Sequence, residues 1–231
     1  QLDDKAKREA AIESIRAAMA GGNRYEAQAA ANAFNRLEPV EFDKTSFRPT
    51  VRALLSSPDV GSRAEALGAF PMTGADPEDL PRIFALADDP YPAVRDKLAY
   101  VIVSLMQNDL RDKAASDAIL KLMEKLPHDS RSVAHALWGG KFSQEIEAKI
   151  LEFCQDVDQA SNNSVGYNFF YGALSTQANK SEASCKRLIE LLAHQDITNI
   201  AGRAAWGLGQ GVAPKQFPLV AGAMVKLVEA R

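Results

Sequence analysis

Apolar residues recur along the chain with a period near 3.6, and no run of alternating β-branched residues is long enough to make a strand. The pattern predicts helices throughout. Segments of about 11 to 17 residues are separated by short turns rich in Pro, Asp, Ser and Gly, the residues that stop one helix and cap the next. This punctuation places helices near 3–20, 24–37, 46–56, 60–70, 78–88, 91–106, 111–126, 130–138, 143–157, 163–176, 182–194, 197–209 and 215–230. They form six hairpins and a closing helix.

Self-similarity carries more than any single motif, because a repeat at a fixed spacing decides the architecture. Ser57-Pro58-Asp59-Val60-Gly61-Ser62-Arg63 is echoed by Asp89-Pro90-Tyr91-Pro92-Ala93-Val94-Arg95, with Pro and Arg shifted together by 32 residues. Looser copies follow at His128-Asp129-Ser130-Arg131-Ser132-Val133 and at His194-Gln195-Asp196 running into Arg203-Ala204-Ala205-Trp206. Each hairpin has an amphipathic first helix, a Pro/Asp break, and a second helix that opens near Val or Arg and continues in small residues.

These segments resemble HEAT repeats, especially the short bacterial type related to phycobilisome-lyase HEAT-like repeats. The resemblance covers about residues 46–138, returns over 181–212, and is broken at 159–176, where Gln159-Ala160-Ser161-Asn162-Asn163-Ser164 replaces the Asp-Pro break. It implies an all-α fold over 1–231: an α-α superhelix, or HEAT/armadillo-like solenoid, with first helices on the convex side and second helices lining a concave side. Fold alone leaves function open.

Composition narrows the function. Aromatics are sparse at 7%, which suits close packing of helices through small residues. The formal net charge of −3 lacks the positive field that drives binding to phosphate backbones, and so argues against nucleic acid. The longest apolar run, Leu98 to Met106, is far short of the roughly 20 residues that span a bilayer. No basic segment leads into an apolar one after Gln1, so no signal peptide is visible, and compartment stays open between cytoplasm and export after removal of a leader.

Candidate chemistry is confined to a few positions. Arg63, Arg95 and Arg203 open second helices, with Asp59, Asp89 and Asp196 in the preceding turns. They read first as a structural ladder in which arginine satisfies carbonyls or a carboxylate, and second as an anion-binding row. Tyr167-Asn168-Phe169-Phe170-Tyr171 packs four aromatics into five positions. Tyr167, Phe170, Tyr171 and Leu174 fall on one helix face and Phe169 on another, so the segment is either core or an exposed aromatic patch. Arg131, His135 and Trp138 follow it in interest, and with Tyr167 and Tyr171 they form the candidate partner-binding set. The three histidines and two cysteines have no ligand spacing, so no metal or other cofactor is implied. Cys154 and Cys185, offset by about 9 Å along neighbouring first helices, read as buried thiols. Gly207-Leu208-Gly209-Gln210-Gly211 reads as a helix stop rather than a phosphate loop.

The leading expectation is a non-catalytic scaffold that binds a protein or peptide on its concave surface. The alternative is an enzyme on the same scaffold, glycosylase-like or tetrapyrrole-lyase-like, in which Trp138, Trp206, Tyr167 and Tyr171 stack on a flat substrate and Asp96 or Glu65 supplies the acid. The chain could also be a segment of a longer scaffold. In the closing helix, positions 219, 220, 224, 227 and 228 make an apolar stripe wider than one neighbour covers, an expectation of self-association through the C-terminal helix.

Overall fold

The computed structural model describes residues 2–21, 23–36, 43–125, 130–157, 164–194 and 197–229. Among these, thirteen α-helices account for nearly all regular structure, and the only strands are two of two residues each. The all-α class read from the periodicity is therefore the observed one. The chain divides into two compact units, Gln1–Leu105 and Met106–Arg231.

The first unit holds α1 (Leu2–Gly21), α2 (Arg24–Arg36), α3 (Arg48–Leu54), α4 (Val60–Thr73), α5 (Leu80–Ala85) and α6 (Pro92–Leu105). Helices α1 and α2, α3 and α4, and α5 and α6 pack as hairpins, and α2, α4 and α6 lie side by side. Its core is filled by Phe34, Phe47, Val51, Leu67, Phe70, Ile83, Leu98 and Ile102, all fully buried. The caps are those that turn chemistry requires: the Asp59 carboxylate accepts from Ser62 N at 2.8 Å and opens α4. Helix α4 runs past the sequence stop at 70 and through Pro71. It ends where Gly74 adopts φ 72° and the Arg48 guanidinium donates to the Thr73 carbonyl at 3.2 and 3.3 Å.

The second unit holds α7 (Lys113–Glu124), α8 (Ser130–Ala136), α9 (Gln144–Phe153), α10 (Val165–Phe169), α11 (Glu182–Leu191), α12 (Gly202–Leu208) and α13 (Phe217–Glu229). A π-helical turn, Phe170–Leu174, extends α10, and another, Ile197–Ala201, leads into α12. Asp112, Ser143, Ser164 and Ser181 cap α7, α9, α10 and α11 through their side chains. The loops that end the second helices are joined to one another by backbone bonds. Strands β1 (Asp109–Leu110) and β2 (Lys141–Phe142) pair in parallel. Ala178 N then donates to Gly140 O at 3.0 Å, and Lys180 N to Gly211 O at 3.3 Å. The Asn179 side chain brackets Phe142, accepting from its N–H at 2.9 Å and donating to its carbonyl at 3.1 Å. This ladder fixes the register of successive hairpins at one edge.

Helix α13 packs on α11, and between them lies an apolar groove of about 570 Å³ lined by Ile189, Leu192, Leu219 and Ala223. Phe217, Val225 and Val228 stay exposed. Neither cysteine is bonded to another, and burial pushes both thiols up from their ordinary pKa. No helix among the described residues is long and apolar enough to cross a membrane.

Candidate functional site

The second helices of the 106–231 unit approach one another closely because small residues face each other across the interfaces. A Cβ on Gly172 would stand 2.4 Å from the Ala134 carbonyl oxygen, and one on Gly207 would stand 2.9 Å from the Ser175 carbonyl oxygen. Glycine is required where backbones come this near. With the helices pressed together at these points, large side chains one step around each helix meet on the outer side.

Four aromatic residues and one arginine meet there. Trp138 follows the end of α8, its N–H donating to the His135 carbonyl at 3.2 Å, and is 45% exposed. Tyr171 of the π turn lies with its ring centroid 6.1 Å from that of Trp138 in an edge arrangement, and it stacks on Tyr167 at 6.0 Å. Trp206 of α12 is 6.4 Å from Trp138. Tyr171 and Trp206 are 36% and 43% exposed. The Arg203 guanidinium sits among these rings, 4.0 Å from the centroid of Tyr171, 4.2 Å from Trp206 and 4.7 Å from Trp138. Each distance is well inside the range of cation–π attraction.

The π turn explains how the arginine is held. The Ser175 N–H donates to the Phe170 carbonyl at 3.0 Å, five residues back, instead of to Tyr171. The Tyr171 carbonyl is thereby released, and it accepts from Arg203 Nη2 at 2.9 Å and from Ser175 Oγ at 3.0 Å. Arg203 Nε donates to Ser175 Oγ at 2.9 Å. Among the described residues no hydrogen bond uses Nη1 and no carboxylate pairs with this arginine. Its pKa is drawn below the ordinary value by desolvation.

The five aromatic-segment positions resolve into two roles. Phe169 and Phe170 are fully buried and Asn168 nearly so, whereas Tyr167 is half-buried and Tyr171 reaches the surface. Phe170 thus leaves the face it would share with Tyr171 on a regular helix, since the π turn changes the residue spacing there. Arg131, His135 and Trp138 follow i, i+4, i+7 along α8, with Arg131 exposed and His135 half-buried. No hydrogen bond or ring contact joins the side chains of Arg131 or His135 to the cluster among the described residues.

The other two arginines of the expected ladder sit differently. Arg63 grips Asp89 with Nε and Nη2 at 2.8 and 3.2 Å and donates from Nη1 to the carbonyls of Ser57 and Pro58. Arg95 Nη1 donates to the Asp89 carbonyl at 2.7 Å. Arg203 has no such carboxylate, and Asp196 lies outside the described residues. Like the other two it donates to a main-chain carbonyl, that of Tyr171, but its second acceptor is the Ser175 hydroxyl where Arg63 has a carboxylate. The sequence signal for its place in the cluster is the i, i+3 spacing of Arg203 and Trp206, which puts them on one helix face.

Glu65 and Asp96, the acids of the enzyme alternative, belong to the first unit. Glu65 is held there by Lys97 at 2.7 Å and by Asn35 at 3.2 Å. No group of three or more His, Cys, Asp and Glu converges among the described residues in a way that could hold a metal ion. No family model matches the chain, and no curated protein is significantly similar to it.

Proposed function

We propose that the hairpins are HEAT-like repeats of an α-solenoid and that the protein is a non-catalytic scaffold, binding a protein or peptide on the face built by α8, the α10 π turn and α12. The observation that carries this reading is the exposed cluster of Trp138, Tyr171, Trp206 and Arg203. Trp, Tyr and Arg are the side chains that dominate interface energetics, because they bury large, rigid area and still offer a polar handle. Four of them in mutual contact on a surface, each pinned by packing or hydrogen bonds, form a preorganised anchor site. The backbone ladder at the loop edge supports the solenoid part of the reading, since within the 106–231 unit it ties successive loops to one another in one register. The segments that carry the rings, 130–138, 164–176 and 199–210, contain no Asp or Glu to act as the acid that glycosylase-like chemistry would need.

The test is affinity capture from the source organism with the intact chain and with a Trp138→Ala, Trp206→Ala variant whose melting is first matched to the wild type. A protein retained by the wild type should lose about 2 kcal/mol of binding or more, roughly a 30-fold weakening, in the variant. Retention unchanged in the variant, or no specific retention by the wild type, overturns the reading.

A further inference from the structure

The aromatic cluster lies on a face with an unusual charge distribution. Along 130–138, 164–176 and 199–210 the basic side chains are Arg131, His135 and Arg203, and the only acidic groups are the phenols of Tyr167 and Tyr171, with no carboxylate. The first helices of the same unit carry the acids: Asp117 and Glu124 in α7, Glu145, Glu147 and Glu152 in α9, and Glu182 and Glu190 in α11. Asp129 and Asp196 lie outside the described residues. In a chain with a net charge of −3, the described segments where the exposed tryptophans gather thus carry arginine and no carboxylate.

Arg203 is the element of this surface that points to a ligand. Two of its three nitrogens are spent on Ser175 and Tyr171, which fix the guanidinium plane against the rings. The third, Nη1, makes no hydrogen bond among the described residues. A guanidinium held among apolar rings is partly desolvated, and its natural complement is an anion brought up in the same apolar setting, where a charge-assisted hydrogen bond is strongest. Resting on the binding reading above, we propose that the site takes a peptide segment in which an Asp or Glu stands beside an aromatic or large aliphatic residue, the carboxylate on Arg203 Nη1 and the apolar side chain against the exposed surfaces of Trp138 and Trp206. Arg131 adds attraction at longer range from α8, the helix that Trp138 follows. A peptide fits better than a nucleic acid strand, because two arginines on this face make no continuous basic stripe to follow a phosphate backbone.

The chain's only two tryptophans are Trp138 and Trp206, so intrinsic fluorescence reads this site alone. The experiment selects randomised 12-residue peptides on the intact protein and then titrates the winners by tryptophan fluorescence. The winners should carry Asp or Glu within a few residues of an aromatic or Leu, Ile or Met. Replacing that acid by its amide should weaken binding at least tenfold. Arg203→Gln should cause a similar loss and Arg203→Lys a smaller one, with melting followed in each. Since Arg203→Gln also removes two internal hydrogen bonds, Arg131→Gln serves as the second variant: it touches no structural contact and should weaken acidic peptides about threefold and flatten their salt dependence. Winners that are neutral or basic yet perturb the tryptophans would overturn the acidic partner while the binding reading stands. Winners that never perturb them, or no winners, would overturn both. Tighter binding of a 12-nucleotide oligothymidylate than of any peptide at the same salt would replace the peptide with nucleic acid.

Discussion

The two units hold several of their cations in different ways. In the first, Arg48 is on Asp76, Arg52 on Asp79, Arg63 on Asp89 and Lys97 on Glu65, while the buried Lys44 and Arg95 also meet the Met72 sulfur and the Asp89 carbonyl. In the second, Lys180 is buried with Nζ donating to the carbonyls of Gln177 and Gln210, and Arg203 rests on a carbonyl, a hydroxyl and three rings. The buried Glu147 is met by Gln177, Ser181 N and Ser184 rather than by a cation. Of the ion pairs in this unit, Lys113 with Asp117 and Lys186 with Glu182 lie at the surface, whereas Arg187 with Glu190 and Lys149 with Glu152 each set a half-buried cation against an exposed carboxylate. A cation neutralised by a buried carboxylate is committed to the fold. One held by dipoles and ring quadrupoles keeps its net charge available to something outside.

The largest expected effect comes from breaking the committed kind. With side chains only 11% and 5% exposed, the Arg63 and Asp89 pair leaves an uncompensated buried charge when either partner is removed. Asp89→Ala should therefore cost about 3 kcal/mol in urea unfolding, and more than Arg203→Gln, whose partners are a hydroxyl and a carbonyl. Equal costs would erase the distinction between the units. Next in size is Gly172→Ala, which forces α8 away from the π turn because its Cβ meets backbone at 2.4 Å. A loss of about 2 kcal/mol with a shift in tryptophan emission is expected, and an unshifted emission spectrum would show that the close approach does not hold the cluster together.

Lys180 gives the pH signature of a cation held by carbonyls alone. Burial draws its pKa down to about 8, against an ordinary value of 10.5. Between these values the unfolded chain binds the proton that the folded chain has lost, so this residue makes stability rise with pH, by up to about 1.4 kcal/mol per unit. The buried thiols of Cys154 and Cys185 act in the opposite sense at alkaline pH, because their pKa values are raised. The stability difference between wild type and Lys180→Met removes that background. It should climb from pH 8 to 10, and a flat difference would mean that the ammonium is solvated in the folded state.

Much of the fold was legible because helix ends are written in local chemistry. The stretch 111–126 contains the observed α7, and 182–194 contains α11, each opened by an Asp or Ser cap and carried by a 3.6 period. The loop ladder was not legible, since strands of two residues are too short to show alternation. The candidate site was legible in part. Aromatic density marks Tyr167 and Tyr171, the turn after His135 marks Trp138, and these three rings meet. Arg203 was read with Arg63 because both open a second helix in the same grammar. What separates them is non-local: a carboxylate one hairpin on for Arg63, and for Arg203 a carbonyl freed by a π turn that the α period of 170–174 does not reveal.

Arg131 is the limiting case of an uncommitted charge, and the smallest stability effect is expected there. It is exposed on α8, in the i, i+4, i+7 row that ends at Trp138, and it makes no hydrogen bond or ion pair among the described residues. Neither burial nor a partner gives it a structural role, so Arg131→Gln should change unfolding stability by less than about 0.5 kcal/mol. Opposite it stands Arg63, in the same grammar position of another hairpin, where the side chain is closed on four oxygens. Parallel urea titrations of Arg131→Gln and Arg63→Gln measure how far the two fates diverge. A loss above about 1 kcal/mol for Arg131→Gln would make that charge part of the fold. The face of the exposed tryptophans would then be balanced from within, leaving Arg203 as its only charge directed outward.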